Sequence, residues 1–348
     1  MTSGNGAGRD GTDAHDAGRD ATGRTAGGAH DTARRVPTRL DVEVARARIQ
    51  PHVTRTPLVR SPFLSAETGA EVWLKLETIQ VTGSFKFRGA VNAIARLRED
   101  RPDVEAVMTA SAGNHGLALA TAAARFGIRT RVHLPASAPD AKQAALAALG
   151  ADLVRASSYD AAEDAAREEA TRTDAVFVSP YDDEDVIAGA GTVAMEVLED
   201  APDTDTIVVP VGGGGLIAGI AIAADGRAAV RGAEAAASPV FSSALAAGRP
   251  VTVEVAPTLA DGLAGNMDPM SRTFGVVRDR VGEVVTVDED AIARAMRALV
   301  FRDRLVAEGA SAVGVAALLA GALPVHGRRV VVVLSGCNVD ERVLRSVL

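Results

Sequence analysis

The sequence is short of several things, and each shortage narrows the field. It has a single cysteine, Cys337. No disulfide can form within the chain, and no cysteine-based zinc cluster can be built. A reducing, cytoplasmic setting is the expectation. Aromatic residues make up only 3%, so a flat ligand must rest on few rings, or on small and polar groups. No uninterrupted apolar run approaches the roughly 20 residues that cross a bilayer. Basic residues are in deficit: 37 Lys and Arg face 45 Asp and Glu, for a formal net charge of -8. That balance argues against a nucleic-acid partner. Residues 1–37 have hardly a large hydrophobic side chain and no apolar period. They read as a disordered tail. A secretory signal needs an apolar stretch, which this segment lacks. Asp10, Asp13, Asp16 and Asp20 do not suit a mitochondrial presequence.

What remains is globular in pattern. The chain of 348 residues is 47% hydrophobic and 24% charged, enough for a well-filled soluble core in about two domains. Asp41 is placed to cap a helix from Val42 to Ile49. Val72 to Leu74 reads as a strand, and Ser84 as the cap of a helix carrying Phe85, Ala90, Val91 and Ile94. Strands are expected near 106–109, 130–134, 151–154, 175–178, 206–211, 283–287 and 329–334. Helices are expected between them, near 114–126, 139–149, 159–171, 185–199, 215–224 and 289–301. This alternation predicts crossover units and mainly parallel α/β sheets. The length points to two α/β lobes and not one simple sheet.

Four clusters carry candidate chemistry, each at a junction between elements. The first is Thr82-Gly83-Ser84-Phe85-Lys86-Phe87-Arg88-Gly89. Lys86 falls in the first turn of a helix, where the positive dipole end disfavours an ammonium. A solvated surface lysine is the plain alternative. The second is Ser111-Ala112-Gly113-Asn114-His115-Gly116, whose small residues gather backbone N–H groups at a helix start. Such a turn suits a carboxylate, although an ordinary capped turn would read alike. In the third, the apolar strand Val208 to Val211 feeds Gly212, Gly213, Gly214 and Gly215, and then a helix. Four glycines cost chain entropy, and they make sense where backbone wraps a phosphate at a helix N-terminus. The dinucleotide and Walker spacings are both absent. The fourth is Ser335-Gly336-Cys337-Asn338, after the strand Val330 to Leu334. It lies at the carboxyl end of a buried strand, where open α/β sheets bind ligands. A plain turn is again the alternative, and Cys337 has no partner that would activate it.

Taken together, the clusters resemble the fold type II pyridoxal-phosphate enzymes, in the branch of threonine and serine dehydratases (ammonia-lyases) and serine racemases. The resemblance runs from about Leu40 to the end. It also includes Thr56-Pro57-Leu58, Thr258-Leu259-Ala260-Asp261-Gly262 and Glu308-Gly309-Ala310. It implies a two-lobed, tryptophan synthase β-like α/β fold with the active site in the cleft. Residues 38–105 and 183–348 would form the large cofactor-binding lobe, and 106–182 the small mobile lobe. It further implies pyridoxal 5'-phosphate as cofactor, a homodimer, and an amino acid as substrate. Lys86 would form the Schiff base and act as general base. Phe85 would lie against the ring, Asn114 would bond its hydroxyl, and Ser335 would face its nitrogen. Gly212 to Gly215 would hold the phosphate. Ser111, Ala112, Asn114 and His115 would line the substrate pocket, with Thr82 near the reacting centre. The cofactor phosphate would protonate the leaving hydroxyl, because the motifs place no better acid there.

Departures from the pattern bear on the reading. Cys337 replaces a usual glycine, and its bulk is expected to narrow the cavity or tilt the ring. Ala190 stands where a glutamine is usual. After Glu234 the second acid of metal-binding racemases is missing, with Val240 near its place, so no metal is expected. The regulatory domain of biosynthetic threonine dehydratases is not expected either. The implied activity is dehydration and deamination of threonine or serine to a 2-oxo acid and ammonia. Racemisation, another β-hydroxy acid such as hydroxyaspartate or phenylserine, and a silent binding scaffold stand as alternatives.

Overall fold

The computed structural model describes Met1 and residues 35–348. The rest of the expected tail, residues 2–34, lies outside the described residues. At its described end Arg35 pairs with Asp41 at 2.8 Å and with Glu184 at 3.2 Å. The first helix, Arg39–Ile49, starts earlier than expected. Thr38 is its cap, and Asp41 is the reciprocal partner in a capping box.

Ten strands are found among the described residues: β1 (Leu58–Arg60), β2 (Glu71–Leu76), β3 (Ala106–Ala110), β4 (Arg129–Pro135), β5 (Asp152–Ala156), β6 (Val176–Phe177), β7 (Thr206–Pro210), β8 (Ala229–Ala235), β9 (Glu283–Val287) and β10 (Arg329–Leu334). They form a six-stranded sheet, ordered β1-β2-β10-β7-β8-β9, and a four-stranded sheet, ordered β5-β4-β3-β6. All pairings are parallel except β1 with β2. Crossover helices cover the faces, as parallel strands require. This is the mixed α/β, parallel-sheet, two-lobed architecture the sequence implied.

Strand β10 shows why the larger sheet holds. Val331 and Val333 point into one apolar cluster, with the helices Glu184–Asp200 and Gly215–Ala224. Val330, Val332 and Leu334 point into the other, with the helices Glu289–Ala298 and Gly309–Leu319. A run of valines is therefore buried on both faces, each alternate residue serving one layer. The helix Lys86–Asp100 sits between the sheets. Phe87, Val91 and Ile94 join a cluster with Val107, Leu119 and Val178. On its other side Gly89 abuts the Glu184–Asp200 helix, where an added Cβ would lie 2.7 Å from the Val186 carbonyl.

Two expectations are corrected here. Ser84 does not cap the Lys86–Asp100 helix. Phe85 precedes that helix without a side-chain cap, and Ser84 instead forms an isolated antiparallel bridge with Gly336. The helix expected to reach 301 ends at Ala298 and gives way to a π-helical turn, Leu299–Asp303.

Candidate active site

The carboxyl ends of the parallel strands open onto a cavity of about 630 Å³. The turn before Lys86 is stitched to the turn after β10. Phe85 N–H donates to the Ser335 carbonyl at 2.9 Å, and Cys337 N–H to the Gly83 carbonyl at 2.9 Å. Two clusters about 250 residues apart in sequence are thereby locked side by side. Below them lies a fully buried ion cluster that the sequence did not disclose. Arg88 is bidentate to both Glu77 and Glu196, with N–O distances of 2.8 to 2.9 Å. Lys75 donates to Glu196 at 2.6 Å and to the Thr56 carbonyl at 2.6 Å. Two cations balance two carboxylates, and each charge is hydrogen-bonded, the condition under which buried ions are tolerated. Arg88 lies two residues beyond Lys86, so this cluster fixes the helix start.

The Lys86 amine donates to the Pro180 carbonyl at 2.7 Å. It lies 5.2 Å from the Phe85 ring centroid. Burial lowers its pKa from 10.5 to about 8, against the opposing pull of Glu308. The amine is thus far readier to be neutral than an exposed lysine.

Asn114 opens the helix Asn114–Arg125. Its Nδ2 donates to Glu308 Oε1 at 2.8 Å, and its Oδ1 accepts from Asn338 Nδ2 at 2.7 Å. His115 is buried, and its Nε2 lies 3.3 Å from the Val178 carbonyl. Burial, and then the Lys86 charge, lower its pKa to about 3, so the ring is neutral. Its Nδ1 has no partner among the described residues. Ser111 Oγ accepts the Gly113 N–H at 3.3 Å.

Strand β7 delivers Gly212 to Gly215, and Gly214 takes φ +84, which favours glycine. An added Cβ on Gly213 would strike the Tyr181 ring at 2.4 Å. Thr273 Oγ1 donates to the Gly213 carbonyl at 2.9 Å. Among the described residues no acceptor takes the N–H groups of Gly212, Gly213 or Gly214. They stand free at the N-terminus of the helix Gly215–Ala224.

Of the residues singled out in the sequence, Phe85, Lys86, Ser111, Ala112, Asn114, His115, Gly213 and Ser335 border this one cavity. Gly212, Gly214 and Gly215 lie beside Gly213 but do not border it. Thr82 does not border it either. Its Oγ1 is buried without a partner among the described residues, and its carbonyl accepts from Asn338 at 2.8 Å.

Four findings revise the sequence reading of the pocket. An acid does stand in the cavity: Glu308, whose carboxyl burial pushes up to about 7 against the Asn114 hydrogen bond. Its motif was visible, but nothing local said that its side chain points inward. Cys337 does not narrow the cavity. Its Sγ turns to the Thr78 carbonyl at 3.1 Å, outside the lining. Ala190 is buried in the core, also outside the lining. Tyr181 was missed, and its ring lies against the glycine loop while its hydroxyl accepts the Asp268 N–H at 2.9 Å. Glu234 accepts the N–H groups of Phe241 and Ser242, at 2.9 and 2.8 Å, and so caps a helix. At the cavity mouth Lys142, on the helix Asp140–Ala148, pairs with Asp261, in the turn Asp261–Leu263, at 2.8 Å.

A buried amine of lowered pKa, the Gly213 turn at a helix start, the Ser335 hydroxyl and a buried carboxyl converge on this space. The family described as pyridoxal-phosphate dependent enzyme matches residues 49–336. An L-threonine ammonia-lyase of Thermotoga maritima is 42% identical, over 88% of this chain and 77% of that protein. Maize serine racemase superposes with a TM-score of 0.84 at 33% identity, covering 90% of this chain and 97% of the other. Threonine deaminase isoform 2 of Solanum lycopersicum gives a TM-score of 0.81 at 29% identity, covering 92% and 94%.

Proposed function

The chain belongs to the pyridoxal-phosphate-dependent enzymes, and from that premise we propose that it dehydrates and deaminates threonine or serine, leaving a 2-oxo acid and ammonia. The observation that carries the reading is Lys86. A buried amine with lowered proton affinity borders the same cavity as Asn114, Ser335 and Gly213 of the glycine loop. The relatives named L-threonine ammonia-lyase support the substrate class.

The residues present suit the cofactor. Free N–H groups of Gly212 to Gly214 at a helix start are what a phosphate requires. When bound, pyridoxal phosphate supplies an aldehyde for amines and a sink for carbanion charge. The chain's own groups do the rest. Lys86 would hold the cofactor and, once freed by the substrate amine, would take the α-proton as a general base. Its lowered pKa, about 8, leaves far more of that amine deprotonated near neutrality than in an exposed lysine. Ser111, Asn114 and His115 form the helix start that receives the substrate carboxylate. Neutral His115 adds no charge there. Ser335, which borders the cavity, would offer the ring nitrogen a neutral hydroxyl, which does not favour its protonation. Water leaves from the β-carbon, and water returns when the product hydrolyses, so the net products are a 2-oxo acid and ammonia.

The racemase reading has support from the serine racemase neighbour, and Ala112 weighs against it. Inversion needs a proton on the face opposite Lys86, where the racemase branch places a serine hydroxyl. Here Ala112 borders the cavity and has only a methyl group, which cannot transfer a proton. A panel of L-β-hydroxy amino acids, scored for 2-oxo acid, ammonia and D-isomer, tests the proposal. Threonine or serine should give stoichiometric 2-oxo acid and ammonia, with little D-isomer. Inversion as fast as ammonia release would overturn it, and so would full activity in Lys86→Ala.

The proposal extends to organisation. Residues 106–182 form the small lobe, and 38–105 with 183–348 the large one, with closure on substrate. The working unit is a homodimer, which sedimentation at assay concentration tests. A cytoplasmic location accords with one cysteine, and no helix among the described residues is long and apolar enough to cross a membrane.

A further inference from the structure

We propose that Glu308 and Asn338 are positioning residues that clamp the Asn114 amide from two sides, leaving one of its N–H groups committed to a ligand oxygen in the cavity. The inference rests on the cofactor reading above, where that oxygen belongs to pyridoxal phosphate.

A primary amide has two donors on one end and an acceptor on the other, and its orientation is set by its neighbours. The chain of bonds around Asn114 allows one arrangement. The Thr82 carbonyl can only accept, and it takes one hydrogen of Asn338 Nδ2 at 2.8 Å. That fixes which end of Asn338 faces inward. The second hydrogen of the same nitrogen goes to Asn114 Oδ1 at 2.7 Å. Glu308 Oε1 accepts from Asn114 Nδ2 at 2.8 Å. Turning the Asn114 amide over would set its oxygen against the carboxylate and its NH2 against the NH2 of Asn338. The contact with Asn338 would be repulsive, and so would that with Glu308 whenever its carboxyl is ionised. One N–H of Asn114 is left over, and Asn114 borders the cavity.

Two glycines make room for the clamp. At Gly83, φ is +70, and an added Cβ would lie 2.7 Å from Asn338 Oδ1. At Gly336 an added Cβ would lie 2.8 Å from Glu308 Oε1. The glycines of the first and fourth clusters thus serve a steric end, since they admit the two side chains that hold Asn114. The clamp also spans the fold. Asn114 follows β3 of the four-stranded sheet, whereas Asn338 follows β10 of the six-stranded one and Glu308 heads the helix Gly309–Leu319. Cofactor affinity is therefore tied to how the two sheets sit.

The test uses the full chain with added pyridoxal phosphate. It reads the dissociation constant by fluorescence titration, and the absorbance ratio of the two tautomeric forms of the lysine-linked cofactor. Glu308→Ala and Asn338→Ala should each weaken binding about tenfold, the usual scale for one lost hydrogen bond to a charged or buried partner. Both should shift the tautomer ratio. Glu308→Gln should stay within about threefold of the parent and keep its spectrum, because the Gln Oε1 accepts the same bond. Asn338 is exposed, so its variant folds even where Glu308→Ala does not. Parental affinity and spectrum in Asn338→Ala would overturn the clamp. Equal losses in Glu308→Gln and Glu308→Ala would also overturn it, because charge and not orientation would then be at work. An unmodified protein that takes up no cofactor would instead sink the reading on which the inference stands.

Discussion

Lys86 and Glu308 are both held in the cavity against their preference for water, and folding bears the cost. The Glu308 carboxyl moves from 4.5 to about 7. Between those values the native state keeps a proton that the unfolded chain has released. Stability therefore falls as pH rises from about 4.5 through 7, by up to about 3 kcal/mol. Lys86 moves from 10.5 to about 8. The unfolded chain holds the extra proton in that window, so stability rises as pH climbs from about 8 to 10.5. Glu308→Gln removes the first effect. Its thermal midpoint should exceed the parent's by several degrees at pH 8, and the difference should vanish near pH 4.5. A variant that melts alike or lower at pH 8 would show that the carboxyl is not strained by burial. At this scale much of the site was legible. Lys86, Asn114 and the four glycines stand in short motifs with their own local logic. Glu308 stands in a quoted motif too, but its inward direction did not show, because its partner Asn114 is 194 residues away. The Arg88 cluster was hidden for the same reason: Glu77, Glu196 and Lys75 look like surface charges until the fold brings them together.

Elements were legible where an apolar run or a flanking turn marked them, even when wholly buried, and opaque where neither did. The helix at 215–224 and the strands at 283–287 and 329–334 fall where the pattern put them. Strand β8 was missed, since its sequence AVRGAEA offers no β-branched run, although most of it is buried. The helix Gly309–Leu319 was missed because nearly all its residues are buried, which erases the amphipathic period. The glycine loop was read correctly as a junction, and its geometry yields a prediction. At Gly214 φ is +84, and an added Cβ would lie 2.4 Å from the Phe241 ring and 2.9 Å from Thr273 Oγ1. Gly214→Asp adds that bulk, a strained backbone, and a negative charge beside unpaired N–H groups. Cofactor affinity by equilibrium dialysis should fall at least tenfold. Gly127→Asp is the control, since Gly127 has φ +65 but open space around its Cβ. It carries similar backbone strain far from the loop, and should bind cofactor as the parent does. Unchanged affinity in a folded Gly214→Asp protein would place the phosphate elsewhere.

For the molecule as a whole, the contacts across the cavity mouth matter most. Lys142 lies on the helix Asp140–Ala148, beside the four-stranded sheet, and Asp261 begins the turn Asp261–Leu263. Their 2.8 Å pair is joined by Arg167 with Asp268 at 3.6 Å. Side-chain exposure of 31% for Lys142 and 63% for Asp261 makes the first pair a weak clasp. Such pairs contribute about 1 kcal/mol or less, and salt screens them. A clasp of that strength can bias a closing cleft without locking it, which suits an enzyme that must reopen to release product. The expected signature is ionic. In the parent, KM for the amino acid should rise about twofold to fivefold between low salt and 0.5 M salt, with kcat little changed. Lys142→Ala should start at the high-salt KM and show a flat salt response. The charge-exchanged protein, Lys142→Asp with Asp261→Lys, should recover both the lower KM and the salt slope. That recovery separates a clasp from a direct contact between Lys142 and the substrate, which exchange would abolish. A salt slope surviving in Lys142→Ala, or no recovery in the exchanged protein, would remove this pair from the closing of the cleft.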